Sequence, residues 1–352
     1  MMDIHAMADE AMNILSHLIA TPSVSRNEDA AADYILDYLT KQGAAPKRHH
    51  NNVWCEQPVP KDGKPTLLLN AHIDTVKPAA SWKRDPYNPT FEGDRLYGLG
   101  SNDCGGGLVS LMLTFLSLRN ESIPYHLVFL ASAEEEVSGK NGIEAVLPLL
   151  PPIDVAIVGE PTGMRPAIAE KGLMVLDCTA HGISGHAARN EGVNAITEAI
   201  CDIEWFNNYR FEQQTDLLGP VKMTVTIIQA GTQHNVVPDI CKFTVDVRAN
   251  ECYTNEEILS IVREHVKSDV VPRSTRLHSS RINPNHPLVQ AAIAEGREPY
   301  GSPTLSDQAL MRFPSFKMGP GESARSHTAD EYICLSEITD ALSTYRKMIV
   351  GK

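Results

Sequence analysis

The residues best suited to chemistry stand at the ends of hydrophobic runs. Leu67-Leu68-Leu69-Asn70-Ala71-His72-Ile73-Asp74 is an apolar strand that delivers a histidine and, two residues on, an aspartate. On extended backbone, positions i and i+2 project to the same side. A carboxylate there orients an imidazole by accepting its other ring N–H, the usual support for a metal-bound histidine. A second run, residues 127–131, ends in Ser132-Ala133-Glu134-Glu135-Glu136, and a third, residues 154–158, ends in Gly159-Glu160-Pro161-Thr162. Open α/β sheets hold their ligands at the carboxyl ends of strands. The glycine-rich segment 97–107 carries Asp103 just before a helix, where it is either a helix cap or a carboxylate whose two oxygens reach two cations. Late in the chain, Met318-Gly319-Pro320-Gly321 precedes Ser326-His327. Histidine and carboxylate donors drawn from several strand ends make a metal centre the chemistry to test. A phosphate-binding glycine loop and a Gly-x-Ser-x-Gly nucleophile elbow are both missing from the sequence.

The elements that must position these groups follow from periodicity. Ala8, Ala11, Met12, Leu15, Leu18 and Ile19 share one helical face, and Ala31, Ile35, Leu36 and Leu39 form a second stripe behind a capping box of Ser25 and Glu28. Strands are predicted at 66–70, 126–131 and 154–158, with a helix over 107–119 between them. Strands alternating with helices predict an α/β/α domain built on a mostly parallel mixed sheet. From about residue 173 the order becomes strand (173–180), helix (193–209), strand (221–230), strand (241–248), helix (255–267), strand (273–277). That order is the ferredoxin-like split unit. The expected organisation is therefore a domain of residues 1–172 and 281–352, interrupted by a smaller α+β domain at 173–280.

Composition narrows the functions. The chain has 352 residues, room for two domains, and a net charge of 31 − 44 = −13. Nucleic-acid or anionic-membrane binding needs clustered Lys and Arg, so neither is expected. No apolar run approaches the roughly 20 residues of a membrane span, and residues 1–20 do not read as a signal peptide. Seven scattered cysteines without a Cys-x-x-Cys pair point to reduced thiols and a cytoplasmic protein.

Taken in order, His72-x-Asp74, Asp103-x-x-Gly106-Gly107, Glu134-Glu135-Glu136, Gly159-Glu160-Pro161-Thr162-Gly163 and the late Gly319-Pro320-Gly321 with His327 resemble the co-catalytic zinc amidohydrolases. That family contains acetylornithine deacetylase, succinyl-diaminopimelate desuccinylase, aminoacylase and glutamate carboxypeptidase. The resemblance implies one metal held by His72, Asp103 and Glu160, and another held by Asp103, Glu135 and His327. It makes Asp74 the orienter of His72, Glu134 the general acid/base, and the peptide after Asp103 cis. His186, in Gly182-Ile183-Ser184-Gly185-His186-Ala187, matches the family's oxyanion-assisting histidine, which in dimeric relatives serves the other subunit's site. Asn235 and Arg248 match the family's Asn-x-x-Pro and Asp-x-Arg positions, with Arg248 suited to clamp a substrate carboxylate in paired hydrogen bonds. Two departures stand beside Asp103: Cys104 and Gly105 replace the family's frequent Met-Lys.

The implied activity is hydrolysis of the amide of a small N-acyl amino acid by two zinc ions per subunit, with cobalt as the alternative metal. N-acetylornithine, N-acetylcitrulline or N-succinylornithine would place the reaction in arginine biosynthesis. Desuccinylation of diaminopimelate, a dipeptidase or aminoacylase activity, and a non-catalytic binding protein are the rivals. The inserted domain is expected to act as a lid and to form a homodimer. A succinyl group would need a further cation, for which Lys171, Arg189 and Arg325 are candidates.

Overall fold

The computed structural model describes residues 3–351. The chain opens with helix α1 (Ile4–Ile19), whose Met7, Ala8, Ala11, Met12, Leu15 and Ile19 are buried. Helix α2 (Asp29–Lys41) follows, buried along Ala31, Ala32, Ile35 and Leu39. The expected capping box does not form: Glu28 is the residue before α2 but no side chain caps the helix. Ser25 and Glu28 bond elsewhere, as described below. Strands β1 (Lys47–His49), β2 (Asn52–Glu56) and β3 (Thr66–His72) come next. Helix α3 (Gly106–Leu118) is apolar nearly all round and buried along almost its whole length, as a core helix must be. Strands β4 (His126–Ser132), β5 (Val155–Val158) and β6 (Ala167–Glu170) complete this part of the chain.

The chain then enters a second compact unit, Ala169–Ser280 with Gly301–Leu305. Its elements are β7 (Met174–His181), α4 (Ala195–Asn208), β8 (Lys222–Ala230), β9 (Ile240–Arg248), α5 (Asn255–His265) and β10 (Asp269–Pro272). The four strands are antiparallel in the order β8-β9-β7-β10, the ferredoxin-like arrangement. Phe206 of α4, Phe243 of β9 and Val262 of α5 share one core. Helix α5 stops two residues short of expectation because the N–H groups of Lys267 and Ser268 turn to the buried Asp202 carboxylate, at 3.1 and 2.8 Å. The last strand lies at 269–272 rather than 273–277, and it ends at Pro272, which has no N–H to extend a ladder.

The first unit resumes at Arg281 and closes with β11 (Ser315–Lys317) and α6 (Leu335–Val350). Its sheet runs β1-β2-β4-β3-β5-β11-β6. The central strands β4, β3, β5 and β11 are parallel, while β2 and β6 join antiparallel at the flanks. Helices α1, α3 and α6 pack together on one side. Leu68, Val128, Leu130, Ala156 and Val158 meet Ile143 and Val146 in a separate core. Register then aligns the chemistry. Asn70 pairs with Val158 and His72 with Ser132, so His72, Glu160 and the start of the glutamate triplet emerge level at the carboxyl ends of three adjacent strands. Among the described residues, no helix is long and apolar enough to cross a membrane.

Candidate metal centre

His72 ends β3 and is almost fully buried. Its Nδ1 lies 2.9 Å from the backbone oxygen of Asp74 and 3.5 Å from that residue's carboxylate. The backbone carbonyl is thus the nearer partner, fixing the ring so that Nε2 faces outward. Nε2 lies 3.3 Å from Asp103 Oδ1 and 3.9 Å from Glu160 Oε1. Burial works against charge on His72, but Cys104, Asp103 and Asp74 outweigh it and raise its pKa. Burial also opposes ionisation of Asp103, yet His72 holds that carboxyl below its ordinary value.

Asp103 is carried by a loop shaped for it. Gly100 has φ 75°, a left-handed backbone that glycine adopts without a Cβ penalty. The Asp103–Cys104 peptide is cis. Downstream, a Cβ on Gly107 would collide with the Gly159 carbonyl, so glycine lets the start of α3 sit directly against the strand end that bears Glu160. On the other side of Asp103, Oδ2 lies 3.6 Å from Nε2 of His327. Asp103 therefore stands between two imidazoles, one on each carboxylate oxygen.

The glutamate triplet resolves into three directions. Glu134 has φ 55° and precedes a tight turn, so successive side chains fan apart. Glu134 turns to Asn141, whose Nδ2 donates to it at 3.1 Å, and it lines a polar cavity of about 240 Å³ with Glu28, Arg48 and Asn51. Glu136 reaches His327, its two oxygens 2.9 and 3.1 Å from Nε2, and this contact raises the histidine to about 9. Glu135 is raised well above its usual value by burial, with Glu160, Asp307 and Glu136 adding to the effect against His72. The carboxylate that joins Asp103 and His327 is thus Glu136, one position later than the sequence pattern suggested. The resemblance implies Glu135 as ligand and Glu134 as base; in the structure Glu136 is the one against His327, and Glu134 faces Asn141.

The donor set fits divalent ions. One atom each from His72, Asp103 and Glu136 lies within 4.8 Å of the others, and so does one each from His72, Cys104 and Glu160. Glu160 Oε1 is buried without a hydrogen-bond partner among the described residues. Burial and the neighbouring Asp103 charge push Glu160 up to about 8. Carboxylates this crowded and this dry need positive charge, which divalent cations held by these residues would supply.

Further residues hold these ligands, and of them the sequence did not single out Asn51, Asp307 or Glu331. The Asp74 carboxylate accepts Ser25 Oγ at 2.7 Å and the backbone N–H groups of Glu135 and Glu136 at 3.0 and 3.1 Å, so it ties β3 to the glutamate turn. Glu28 accepts from Arg26 N at 2.6 Å and Asn51 Nδ2 at 2.9 Å. Asp307 is buried and accepts from Ser132 Oγ at 2.6 Å, beneath the triplet. The buried Glu331 accepts backbone N–H groups from the Asp103 loop. Its only sequence signal was a position four residues past His327.

In the second unit, His186 is exposed and its Nδ1 accepts the Ala188 N–H at 3.1 Å. It pairs with Val236, next to Asn235, whose carbonyl accepts the Ala187 N–H at 3.0 Å. Arg248, at the far end of β9, forms paired hydrogen bonds with Asp246 at 2.8 and 3.1 Å. Of the extra cations considered for a succinyl group, Arg325 is held by Glu337 at 2.8 and 2.9 Å and lies over Tyr332. Lys171 donates to Pro220 O at 2.8 Å, and Arg189 lies 3.8 Å from Glu191.

The sequence profile of peptidase family M20/M25/M40 matches residues 68–350. The chain is 27% identical over 365 aligned positions to acetylornithine deacetylase of Edwardsiella ictaluri (strain 93-146), covering 94% of this chain and 95% of that protein. It is 25% identical to succinyl-diaminopimelate desuccinylase 2 of Ruegeria sp. (strain TM1040), covering 74% of this chain and 70% of that protein. Among solved structures, aminopeptidase PepT from Bacillus cereus ATCC 10987 superposes with a TM-score of 0.80 at 20% identity, covering 98% of this chain and 99% of that one. The Bacillus subtilis YXEP protein, described as a dinuclear metal-binding peptidase of the M20 family, gives a TM-score of 0.74 at 17% identity, with 98% of each chain covered.

Proposed function

The chain belongs to peptidase family M20/M25/M40 and is a metal-dependent hydrolase, and from that premise we propose that it cleaves the amide bond of an N-acyl amino acid. The observation that carries this reading is the convergence of His72, Asp103, Glu160, Glu136 and His327 around one carboxylate. In the proposed arrangement His72, Asp103 and Glu160 hold one ion, and Asp103, Glu136 and His327 hold the other. Mixed imidazole and carboxylate donors suit zinc, with cobalt as the alternative. When bound, such a pair acidifies a water and polarises the scissile carbonyl.

The remaining chemistry belongs to the chain. Glu135 takes the proton of the attacking water and returns it to the departing amine, a role favoured by the burial and neighbouring carboxylates that raise its pKa well above the ordinary carboxylate value. Asp74 keeps Glu135 and Glu136 on the strand end that carries His72. Arg248 and Asn235 are proposed to hold the substrate, and His186 to stabilise the developing oxyanion.

N-acetylornithine is the leading substrate, with N-acetylcitrulline and N-succinylornithine beside it, which would set the enzyme in arginine biosynthesis. Near full-length likeness to an acetylornithine deacetylase supports this choice. Succinyl-diaminopimelate is the second reading, supported by the likeness to desuccinylases. Turnover of N-acetyl and N-succinyl derivatives of ornithine, citrulline and diaminopimelate, measured beside dipeptides, separates the two. Turnover of dipeptides alone rejects both.

We further propose a homodimer through the inserted unit. Its outer strand β8 exposes Ile227 and Ile228, and α4 exposes Ile200. A β-edge with apolar side chains is a natural surface for a second copy. Light scattering of a fully active monomer contradicts that assembly. The seven cysteines are all free, which suits a reducing cytoplasm.

A further inference from the structure

The bridging position of Asp103 depends on backbone that its own side chain does not control. Glu331 is 2% exposed, and its carboxylate is the meeting point of three backbone donors. The N–H groups of Asn102 and Asp103 converge on Oε1 at 2.7 and 2.9 Å, and that of Gly100 reaches Oε2 at 3.2 Å. A second tie joins the same two segments: Glu322 N donates to Asn102 Oδ1 at 3.0 Å, and Asn102 Nδ2 donates to the Glu322 carbonyl at 3.1 Å. One segment carries Asp103 and the other carries His327. The 3.6 Å approach of these two side chains is therefore set by backbone ties outside the ligand set.

Resting on the metal-hydrolase reading above, we propose that Glu331 is the positioning residue of the metal centre, fixing the Asp103 loop against the His327 segment so that Asp103 can bridge. Burying a carboxylate is costly unless donors satisfy it, and here the satisfying donors are the amides of the bridging loop itself. A neutral side chain of the same length keeps fewer of these bonds. Asp330, the adjacent residue, provides a contrast. Its Oδ1 accepts the N–H groups of Lys83 and Arg84 at 3.1 and 3.0 Å, anchoring the same segment to a different part of the chain.

The test is a zinc titration of chelator-stripped protein against a competing chromophoric chelator, with the visible absorption of cobalt-loaded protein as a second readout. Wild type is expected to take up two equivalents. Glu331→Gln can keep the two bonds to one oxygen and lose the third, so its zinc affinity should fall several-fold. Glu331→Ala loses all three, and the fall should reach about 100-fold, the upper range for loss of a ligand-supporting group. Asp330→Ala, which loses both bonds from Lys83 and Arg84, should lower the melting temperature while leaving zinc affinity unchanged. A folded Glu331→Ala protein binding both equivalents as tightly as wild type overturns the proposal, and so does equal weakening in Asp330→Ala. Should Glu331→Ala fail to fold, Glu331→Gln decides: unchanged affinity and an unchanged cobalt band overturn the role. Wild type that takes up fewer than two equivalents overturns the metal-hydrolase reading instead.

Discussion

Three consecutive glutamates offer the sharpest experiment, because the structure gives each a different neighbour. Glu134 faces Asn141, Glu136 faces His327, and Glu135 lies between them with its N–H on Asp74. Glu134→Gln retains an oxygen to accept the Asn141 amide and loses no contact to His72, Asp103 or His327. Its cost should stay below about 1 kcal/mol of stability, the net value of one ordinary hydrogen bond, and its rate should stay within about threefold of wild type. Glu135→Gln removes the basic oxygens that accept and return the proton. General acid–base catalysis is worth about 10²–10⁴-fold. At 1.36 kcal/mol per decade, that raises the barrier by about 2.7–5.4 kcal/mol. Its zinc content should be that of wild type. Glu136→Gln removes a ligand, so activity should fall together with zinc content and recover in part when zinc is added. The assay is kcat and KM on N-acetylornithine beside elemental analysis of each purified variant. An inactive Glu134→Gln with an active Glu135→Gln refutes the assignment and shifts the roles back by one residue. Rates within tenfold for all three refute carboxylate proton transfer in this turn altogether.

Asp74→Asn weakens the acceptor of Ser25 Oγ and two turn amides, and about 10–100-fold should be lost in zinc affinity or in kcat/KM, measured by chelator competition and steady-state kinetics. Chelator-stripped protein should lose thermal stability as pH rises. Burial lifts Glu160 and Glu331 from an ordinary 4.5 to about 8, so below 4.5 neither folded nor unfolded chain pays for ionisation. Between 4.5 and about 8 the unfolded chain releases protons that the folded one retains, and the melting temperature falls across that window. Two equivalents of zinc should raise the curve most at pH 8, and a flat curve for the stripped protein contradicts the crowding of carboxylates. Arg248→Lys, which cannot reproduce paired hydrogen bonds to a carboxylate, should raise KM about tenfold with kcat little changed, and an unaltered KM removes Arg248 from substrate binding.

What the sequence made legible was the part of the site carried by strands. Apolar runs ending in His72 and in Glu160 name both the strand and the residue at its end, because period-two backbone and a parallel sheet leave little choice of direction. The glutamate triplet lies past the end of β4, and there the same logic fails. The left-handed backbone at Glu134 decides which side chain faces His327, and a run of identical residues carries no register of its own. Ser25 and Glu28 misled for a related reason. Their spacing matches a capping box, but Asp74 and Asn51 compete for the same side chains, and tertiary hydrogen bonds prevailed over the local cap. Asp307 and Glu331 were invisible because each lies outside the longer helices and strands, in a single 3-10 turn or a loop, far along the sequence from the groups it touches.

The supporting carboxylates follow from the same electrostatics as the ligands. A bridging aspartate between two imidazoles is useful only if it stays put while cations come and go, and its own side chain cannot both bind and anchor. Anchoring therefore falls to backbone amides, whose N–H groups need acceptors of their own. Asp74 satisfies two of them on the glutamate turn, and Glu331 satisfies three on the Asp103 loop. Each such acceptor is a further buried carboxyl close to ligands that are already acidic. The fold tolerates this because each of them accepts three donors, whereas Glu160 Oε1 has none among the described residues. Donor-satisfied carboxylates shape the site, and donor-starved ones are where positive charge must enter.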